Sequence, residues 1–509
     1  MKIAAVALLS LLLLCVHRKA RACTGVYVGR KLNPDGDTII ARTLDLFPLT
    51  TLMRMDIVPA ARNAPGRVLR GTDGFSWPLP EQTFRYVCTP AVRGCGRGRY
   101  ASAAVSERGV AVTGTVTAYI RPEIRRMDPP LDGGLCEEVL PDLIASCCAT
   151  AREGVDLIAR VMAERGSAEQ NILMIADPRE TWYVETYTGR QWAALRLPED
   201  RMAVFGNEFM LDDFSGDEEG FLCSPDLFRL PKEHGLAVYD PDGKMNLFRT
   251  YAGRFSDFAN GRTWLGRLRF APEEAGEYRT DRKFSLCFSP ERPVGALDVM
   301  ELFRDRFEGT GFCPEETGRR DWRVLGSEST CTSHVLCVSD RTPEAVACVG
   351  WFSLGNAEHS VYLPVSSLVT ELDPSCTLDM EDAPHYDAGY AAVRMKRLCA
   401  LAEQDRGRLG RPVRAAFRRL EEESFAQAAR ISGRAAAFLR AGDRAQAERL
   451  WTDFSLDRQK AALQRADRLF EEMIWYLMDT TDSYDYDYRW RTMETEPRKP
   501  RPFEPSCGG

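Results

Sequence analysis

Cys23 follows Ala20-Arg21-Ala22, and small residues three and one before a bond form the pattern that signal peptidase cuts. A cut after Ala22 would make Cys23 the first residue of the mature chain. Such a cysteine has a thiol of reference pKa about 8.5 and an α-amine of about 7.7–8.0. The amine can accept the thiol proton, so the residue brings its own general base to a nucleophilic reaction. A nearby cation would favour the thiolate further. The plainer alternative is a disulfide cysteine near a processed end, since exported cysteines usually pair.

The neighbours of that thiol follow from the next elements. Thr24 to Lys31 and Asp37 to Thr43 are β-like runs separated by Asn33-Pro34-Asp35-Gly36, a turn signal, and they predict a hairpin. With the turn centred between Pro34 and Asp35, residue 23 falls opposite about residue 46. Asp45 then lies beside the new terminus, where it can hold the amine. Arg42 lies further along the strand and is long enough to reach the thiolate. Strict alternation puts residues 42 and 45 on opposite faces, so both converge only with a bulge or twist.

The leader itself is compact. Ile3 to Val16 is apolar except for Ser10, a run of fourteen residues, shorter than the roughly 20 that a membrane span needs. His17, Arg18, Lys19 and Arg21 make its end basic, and an uncleaved signal anchor is the alternative. Cleavage lowers the basic count from 67 to 63 against 74 acidic residues, a net charge of −11. No later stretch is apolar and long enough to span a bilayer. The expectation is an exported protein, secreted or periplasmic, with no stable membrane anchor after cleavage and no footprint for nucleic acid. Of 16 cysteines, 14 remain once Cys15 and Cys23 are set aside. None has the paired C-x-x-C spacing of a zinc site, and their pairing cannot be read from the sequence.

The 509 residues, 44% hydrophobic and 28% charged, exclude a disordered chain, a collagen and a polytopic membrane protein. Gly109 to Val116 is β-like, and Glu137 to Arg165 has helical spacing. Asn171 to Ala176, Thr181 to Thr186, Gln191 to Arg196 and Met202 to Phe205 form a run of short strands. Leu297 to Arg306 reads as helix, and Ser333 to Val338 and Ala345 to Phe352 as strands. From Glu381 to about Trp475 the chain is rich in Ala, Arg, Glu and Leu at helical spacing, which predicts three or four helices. From Asp479 it becomes Ser/Tyr/Asp-rich and then Pro-rich, the composition of a poorly ordered tail. The implied divisions are a leader over 1–22, a main domain over 23–380, a helical region over 381–478 and a tail over 479–509.

Several chemistries lack their motifs. There is no H-E-x-x-H, no G-x-S-x-G and no Walker A sequence. Gly94-Cys95-Gly96-Arg97-Gly98 lacks dinucleotide-binding spacing and reads as a flexible loop. His234, His334, His359 and His385 are scattered; a Cys–His dyad is open to any of them, but a bland core or surface role is favoured. No group of His, Asp, Glu or Cys has metal-ligand spacing, so a metal is not expected.

Cys23-Thr24-Gly25-Val26-Tyr27-Val28-Gly29, Asp35-Gly36-Asp37-Thr38 and Ala41-Arg42-Thr43-Leu44-Asp45 together resemble the opening of the cysteine N-terminal-nucleophile (Ntn) dipeptidases, typified by the lactobacillar dipeptidase A. Secernins and, more distantly, choloylglycine hydrolases and penicillin V acylases are related. The resemblance continues in Gly109-Val110-Ala111-Val112-Thr113 and in Asp177 to Asn207. It extends to Phe303-Arg304-Asp305-Arg306-Phe307-Glu308-Gly309-Thr310, similar to the family's "LRDHYEGT", and to Trp351 to Pro364.

The resemblance implies an α+β fold, a four-layer αββα sandwich, here with a C-terminal helical extension. It implies hydrolysis of dipeptides through a thioester acyl-enzyme, with no metal and no organic cofactor. By position Cys23 resembles the nucleophile, Arg42 and Asp45 its neighbours, and Asn207 the oxyanion amide; the superfamily's late active-site arginine is not placed by the resemblance, with Arg304 and Arg306 as candidates. The chemistry of Asn207 agrees, because one side-chain donor to an oxyanion is typically worth about 2.7–4 kcal/mol. Trp182 and Trp192 are read as core. Two rival readings remain open, an amidase acting on non-peptide linear amides and a non-catalytic, secernin-like protein. Homo-oligomerisation is left open too.

Overall fold

The computed structural model describes residues 22–71, 74–96, 98–114, 118–254, 256–480 and 502–506. The expected leader, apart from the backbone of Ala22, lies outside the described residues, as do Arg97, Val116 and most of the expected tail.

Two antiparallel sheets are stacked face to face. One has seven strands in the order Cys287–Phe288, Met202–Phe205, Ala22–Val28, Thr38–Asp45, Thr330–Val338, Cys348–Ser353 and Leu363–Ser366. The other has eight strands, with Asn171–Ala176, Thr181–Thr186 and Trp192–Arg196 among its centre strands. The side-chain period of two explains the stacking. In Asn171–Ala176, Ile172 and Met174 enter the core between the sheets. Leu173 and Ile175 enter a second core on the outer face, against helices Leu140–Cys147 and Ala151–Glu164. Both faces are covered, so the strand reads as an unbroken apolar run. Trp182 and Trp192 are buried in that outer core, as read from the sequence.

Helices Asp257–Phe270 and Ala296–Arg304 cover the seven-stranded sheet, as do Ala391–Ala402, Arg411–Arg440 and Arg444–Thr480. The last three are the expected C-terminal helices. Val413, Phe417, Trp451 and Leu463 belong to the same apolar core as the sheets, and Trp351 stacks on Phe425 at 5.2 Å. The layers are therefore helix, sheet, sheet, helix, the expected αββα sandwich with a helical extension. Among the described residues, no helix is long and apolar enough to cross a membrane.

Four expectations need correction. The helical stretch from Glu137 to Arg165 is two helices, because Cys148 leaves helical geometry at φ −114°, ψ 136°. The strand expected from Ala345 begins only at Cys348, after a short helical turn over Glu344–Ala347. The expected tail is not uniformly loose: Phe503 is buried and lies 5.4 Å from the ring of Tyr476. Finally, the hairpin register is displaced by two residues, with Cys23 opposite Leu44 and Ala22 opposite Asp45. The connection is not one tight turn. Leu32 N–H bonds Gly29 O and Gly36 N–H bonds Asn33 O, each at 2.9 Å, making two successive turns. A shift of two preserves the faces, so Cys23 and Arg42 stay on the same side.

Candidate active site

The Cys23 side chain is buried, only 1% exposed, at the open end of the hairpin, where Cys23 faces Leu44. Arg42 Nη2 donates to its Sγ at 3.1 Å and to Glu137 Oε1 at 2.6 Å. Tyr100 OH donates to the same Glu137 oxygen at 2.5 Å. Burial opposes the charge on Arg42, but Cys23, Tyr100 and Glu137 outweigh it and raise its pKa, so the guanidinium stays protonated. One reason it can lie here is Gly114. A Cβ at that position would come 2.1 Å from Arg42 Nη1 and 2.3 Å from Ser102 O. Gly114→Ala is therefore expected to displace Arg42 and lower kcat/KM at least about 10-fold, because a misplaced cation no longer supports the thiolate. Steady-state kinetics with a melting curve check this; unchanged kinetics would sink it.

The backbone nitrogen of Cys23 is held as deliberately as the thiol. It donates to Asn207 Oδ1 at 2.9 Å. Arg262 Nη2 donates to that same amide oxygen at 2.9 Å, while its Nη1 donates to Cys23 O and, at 3.1 Å, to Thr24 Oγ1. Burial, and then the charge of Arg323, lower the Arg262 pKa to about 10, which leaves it cationic at neutral pH. Asn207 follows the strand Met202–Phe205, and the chain beyond it is anchored by Glu185. That buried carboxylate accepts from Met210 N–H at 2.5 Å and from the hydroxyls of Tyr183 and Tyr187, each at 2.7 Å. Burial raises the Glu185 pKa to about 7, while these donors pull it down.

The thiol is not a preformed thiolate. Burial pushes its pKa above the ordinary value, Arg42 pulls it back, and Glu137 and Asp45 push it up again. It therefore needs a base. Among the described residues no histidine is hydrogen-bonded to Cys23. His334, which lies across the ladder from Arg42, is buried with neither ring nitrogen bonded, and burial, with Arg42, lowers its pKa.

Three of the four residues singled out in the sequence thus meet directly: Cys23, Arg42 and Asn207. Asp45 is adjacent but engaged differently. Its carboxylate accepts from Arg323 and from Thr330 Oγ1 at 2.6 Å, not from the Cys23 nitrogen. A bulge does exist here, but in the neighbouring strand, between Thr330 and Thr332. Neither expected late arginine is at the site. Arg304 bonds Glu421 at 2.6 Å and Glu301 at 2.7 Å. Arg306 bonds Glu315 at 2.8 Å and Gly326 O. Besides Arg42, the arginine that touches Cys23 is Arg262, through the Cys23 carbonyl oxygen. It and Glu137 were missed, since neither has a spacing relation to residue 23 and each stands among other charged residues, Glu138 beside Glu137 and Asp257, Arg267 and Arg269 in the Arg262 helix.

Elsewhere in the fold, the sequence neighbours Glu358 and His359 and the distant Glu403 bring potential ligand atoms within 4.8 Å of one another. Two of them are already engaged: Arg406 Nε bonds Glu358 at 2.9 Å, and Asn356 bonds Glu403.

Asn207 and Glu208 open onto a cavity of about 870 Å³, also lined by Arg121, Tyr119, Phe209 and Phe258. That volume suits a small organic ligand. With a thiol, a cation on its sulfur, a bound nitrogen and an amide beside a cavity, the arrangement can perform nucleophilic acyl transfer.

A profile of peptidase family C69 matches residues 22–407. A probable dipeptidase B of Streptococcus pyogenes serotype M6 is 32% identical over 362 residues, spanning 67% of this chain and 71% of that protein. A probable dipeptidase B of Lactococcus lactis subsp. lactis is 28% identical over 374 residues, spanning 70% and 77%. Among solved structures, a mutant of the conjugated bile acid hydrolase from Clostridium perfringens aligns over 68% of this chain and 92% of that one. It shows 13% identity and a TM-score of 0.31, a likeness too slight to bear on this chain.

Proposed function

The chain belongs to peptidase family C69, and on that premise we propose that it is an exported dipeptidase whose nucleophile is the Cys23 thiol and whose general base is the α-amine of the same residue. Family membership makes it a cysteine-type peptide hydrolase. One observation supports the finer reading above the rest. Arg42 bonds the sulfur of Cys23 at 3.1 Å while Asn207 bonds its nitrogen at 2.9 Å, so both reactive atoms of one residue are separately oriented.

The steps balance with those groups alone. The neutral amine takes the Sγ proton, and the thiolate, beside Arg42, attacks the dipeptide carbonyl carbon. The carbonyl π electrons move onto oxygen. Asn207 has its Oδ1 committed to two donors, and its amide nitrogen is the proposed donor to that oxyanion. The C–N bond then breaks, and the ammonium of Cys23 returns its proton to the departing amine. A thioester remains. Water, deprotonated by the amine, attacks it and releases the second amino acid with the thiol restored. Export is proposed on the leader of residues 1–22, which also supplies the cut that frees the amine.

The test is inhibition of the purified mature protein on a set of dipeptides. Hydrolysis is expected to survive a strong chelator and to fail after thiol alkylation, with saturating dipeptide slowing the alkylation of Cys23 as mapped by mass spectrometry. Loss on chelation with recovery on added zinc would overturn the nucleophile.

A further inference from the structure

We infer that Glu208 and Arg121 are specificity determinants that read the two ends of a zwitterionic dipeptide, Glu208 taking its α-ammonium and Arg121 its α-carboxylate. The inference rests on the dipeptidase reading and deepens it by naming what the site recognises.

The two side chains line the same 870 Å³ cavity as Asn207. Glu208 is 6% exposed. Its Oε1 accepts from Ser256 N–H at 2.8 Å, and among the described residues the carboxylate enters no ion pair. Its surroundings do not neutralise it: Lys283, the cation with the larger influence on it, is bound to Asp212 at 2.9 Å, and Arg262 is engaged with Cys23 and Asn207. A buried carboxylate without a counter-charge is costly unless a ligand supplies one.

Arg121 presents the opposite case. Nη2 donates to Leu236 O at 2.7 Å, Nε is buried without a partner, and among the described residues no carboxylate is paired with it. Burial lowers its pKa, with Glu123 offsetting part of the loss. Its stem crosses Gly253, where φ is +84° and a Cβ would come 2.5 Å from Arg121 Cδ. The side chain therefore has room only because that position is glycine. Arg249 and Arg254 line the same cavity, Arg249 held by Asp240 at 3.1 Å, so the cavity presents a buried carboxyl with no ion pair on one side and guanidinium groups led by Arg121 on the other, which complements a molecule with one charge of each sign at its ends. A free dipeptide has that pattern. An N-acylated dipeptide, a dipeptide amide and a simple acyl amide each lack part of it.

Protonation follows from the burial. Glu208 is held up at about 8, so near neutral pH it is mostly the neutral acid in the empty site. An arriving ammonium stabilises the carboxylate, and the displaced proton leaves to solvent. Binding of the free dipeptide therefore strengthens as pH rises toward about 8, then weakens as the substrate amine itself deprotonates.

The experiment compares Ala-Ala, N-acetyl-Ala-Ala and Ala-Ala-amide on the wild type and on Glu208→Gln and Arg121→Gln. Gln keeps the acceptor for Ser256 N–H. The wild type is expected to prefer the free dipeptide over each blocked form by about 10²–10³-fold in kcat/KM, the range for forgoing one buried, hydrogen-bonded ion pair with the substrate. Glu208→Gln should abolish discrimination at the amino end only, mainly through KM, and flatten the pH dependence of KM between 6.5 and 8. Arg121→Gln should abolish discrimination at the carboxyl end only. Unchanged ratios in both variants would overturn the inference, as would a Glu208→Gln loss confined to substrates with basic side chains. If either variant fails to fold, calorimetric titration of the three compounds into Cys23→Ala decides: equal affinities refute the inference, and tight binding of the free form alone supports it. Equal cleavage of all three compounds by the wild type would leave the dipeptidase reading standing and end this one. Cleavage of acyl amides with none of Ala-Ala would end both.

Discussion

Cys23→Ala is expected to yield a folded protein with no measurable dipeptide hydrolysis, and Cys23→Ser one slower by several orders of magnitude. The argument runs through the proton rather than the shape of the site. Burial raises the thiol pKa above its ordinary value even with Arg42 at 3.1 Å. A hydroxyl in the same place is a far weaker acid still, so the amine that can deprotonate a thiol generates almost no alkoxide. Alanine removes the nucleophile altogether, and neither Arg42 nor Asn207 can form an acyl-enzyme in its place. The fold should survive both changes. The register of Ala22–Val28 against Thr38–Asp45 and Met202–Phe205 is a backbone ladder that does not involve the sulfur. The measurements are kcat/KM on a cleaved dipeptide, a melting curve, and intact mass after rapid quenching to detect the thioester. Near-wild-type turnover in Cys23→Ala would end the mechanism while leaving the family and the fold untouched.

How much of this could be read beforehand divides along a physical line. Patterns set by neighbours in sequence were legible. The run Asn171 to Ala176 is an apolar strand because each of its faces meets a core. The small-x-small motif before Cys23, with the hairpin after it, placed Arg42 near the thiol. The register was not legible, because two successive turns rather than one join the strands, and Asn33 organises the second through Asp35 N–H to its Oδ1 at 3.0 Å. Asp45 consequently sits opposite Ala22 and serves Arg323 and Thr330. Contacts made by elements remote in sequence were the least legible. Arg262 reaches Cys23 from helix Asp257–Phe270 across 239 positions of chain, and Glu137 reaches Arg42 across 95. Nothing in the local sequence of either announces the partner. A resemblance that located a late arginine only by segment therefore pointed to Arg304 and Arg306, whose charges are spent on Glu421 and Glu315.

A chain that keeps even one residue before Cys23 is expected to be inactive, and removal of the residues through Ala22 is expected to switch it on. With Ala22 attached, the Cys23 nitrogen is an amide, its lone pair delocalised into the carbonyl and unable to accept a proton. It can still donate to Asn207 Oδ1, as it does at 2.9 Å, so the site is assembled around an incompetent nitrogen. The other groups at the thiol do not substitute. Arg42 is held protonated, Arg262 is cationic, and Asp45 is engaged by Arg323 and Thr330. Cutting the bond replaces the amide with an amine of reference pKa about 7.7–8.0, whose N–H keeps the Asn207 bond while its lone pair becomes available to the sulfur. Loss of a general base is typically worth about 10²–10⁴-fold, and here the base also activates the water in the second step. Two preparations decide it: a chain beginning at Cys23, and a chain beginning at Ala22, each verified by intact mass and assayed side by side. The first should carry the activity, with an acid limb in kcat/KM near the amine pKa, and the second should fall short by at least about 10³-fold. Equal rates from the two would show that the proton goes elsewhere, and the amine would have to be given up as the base.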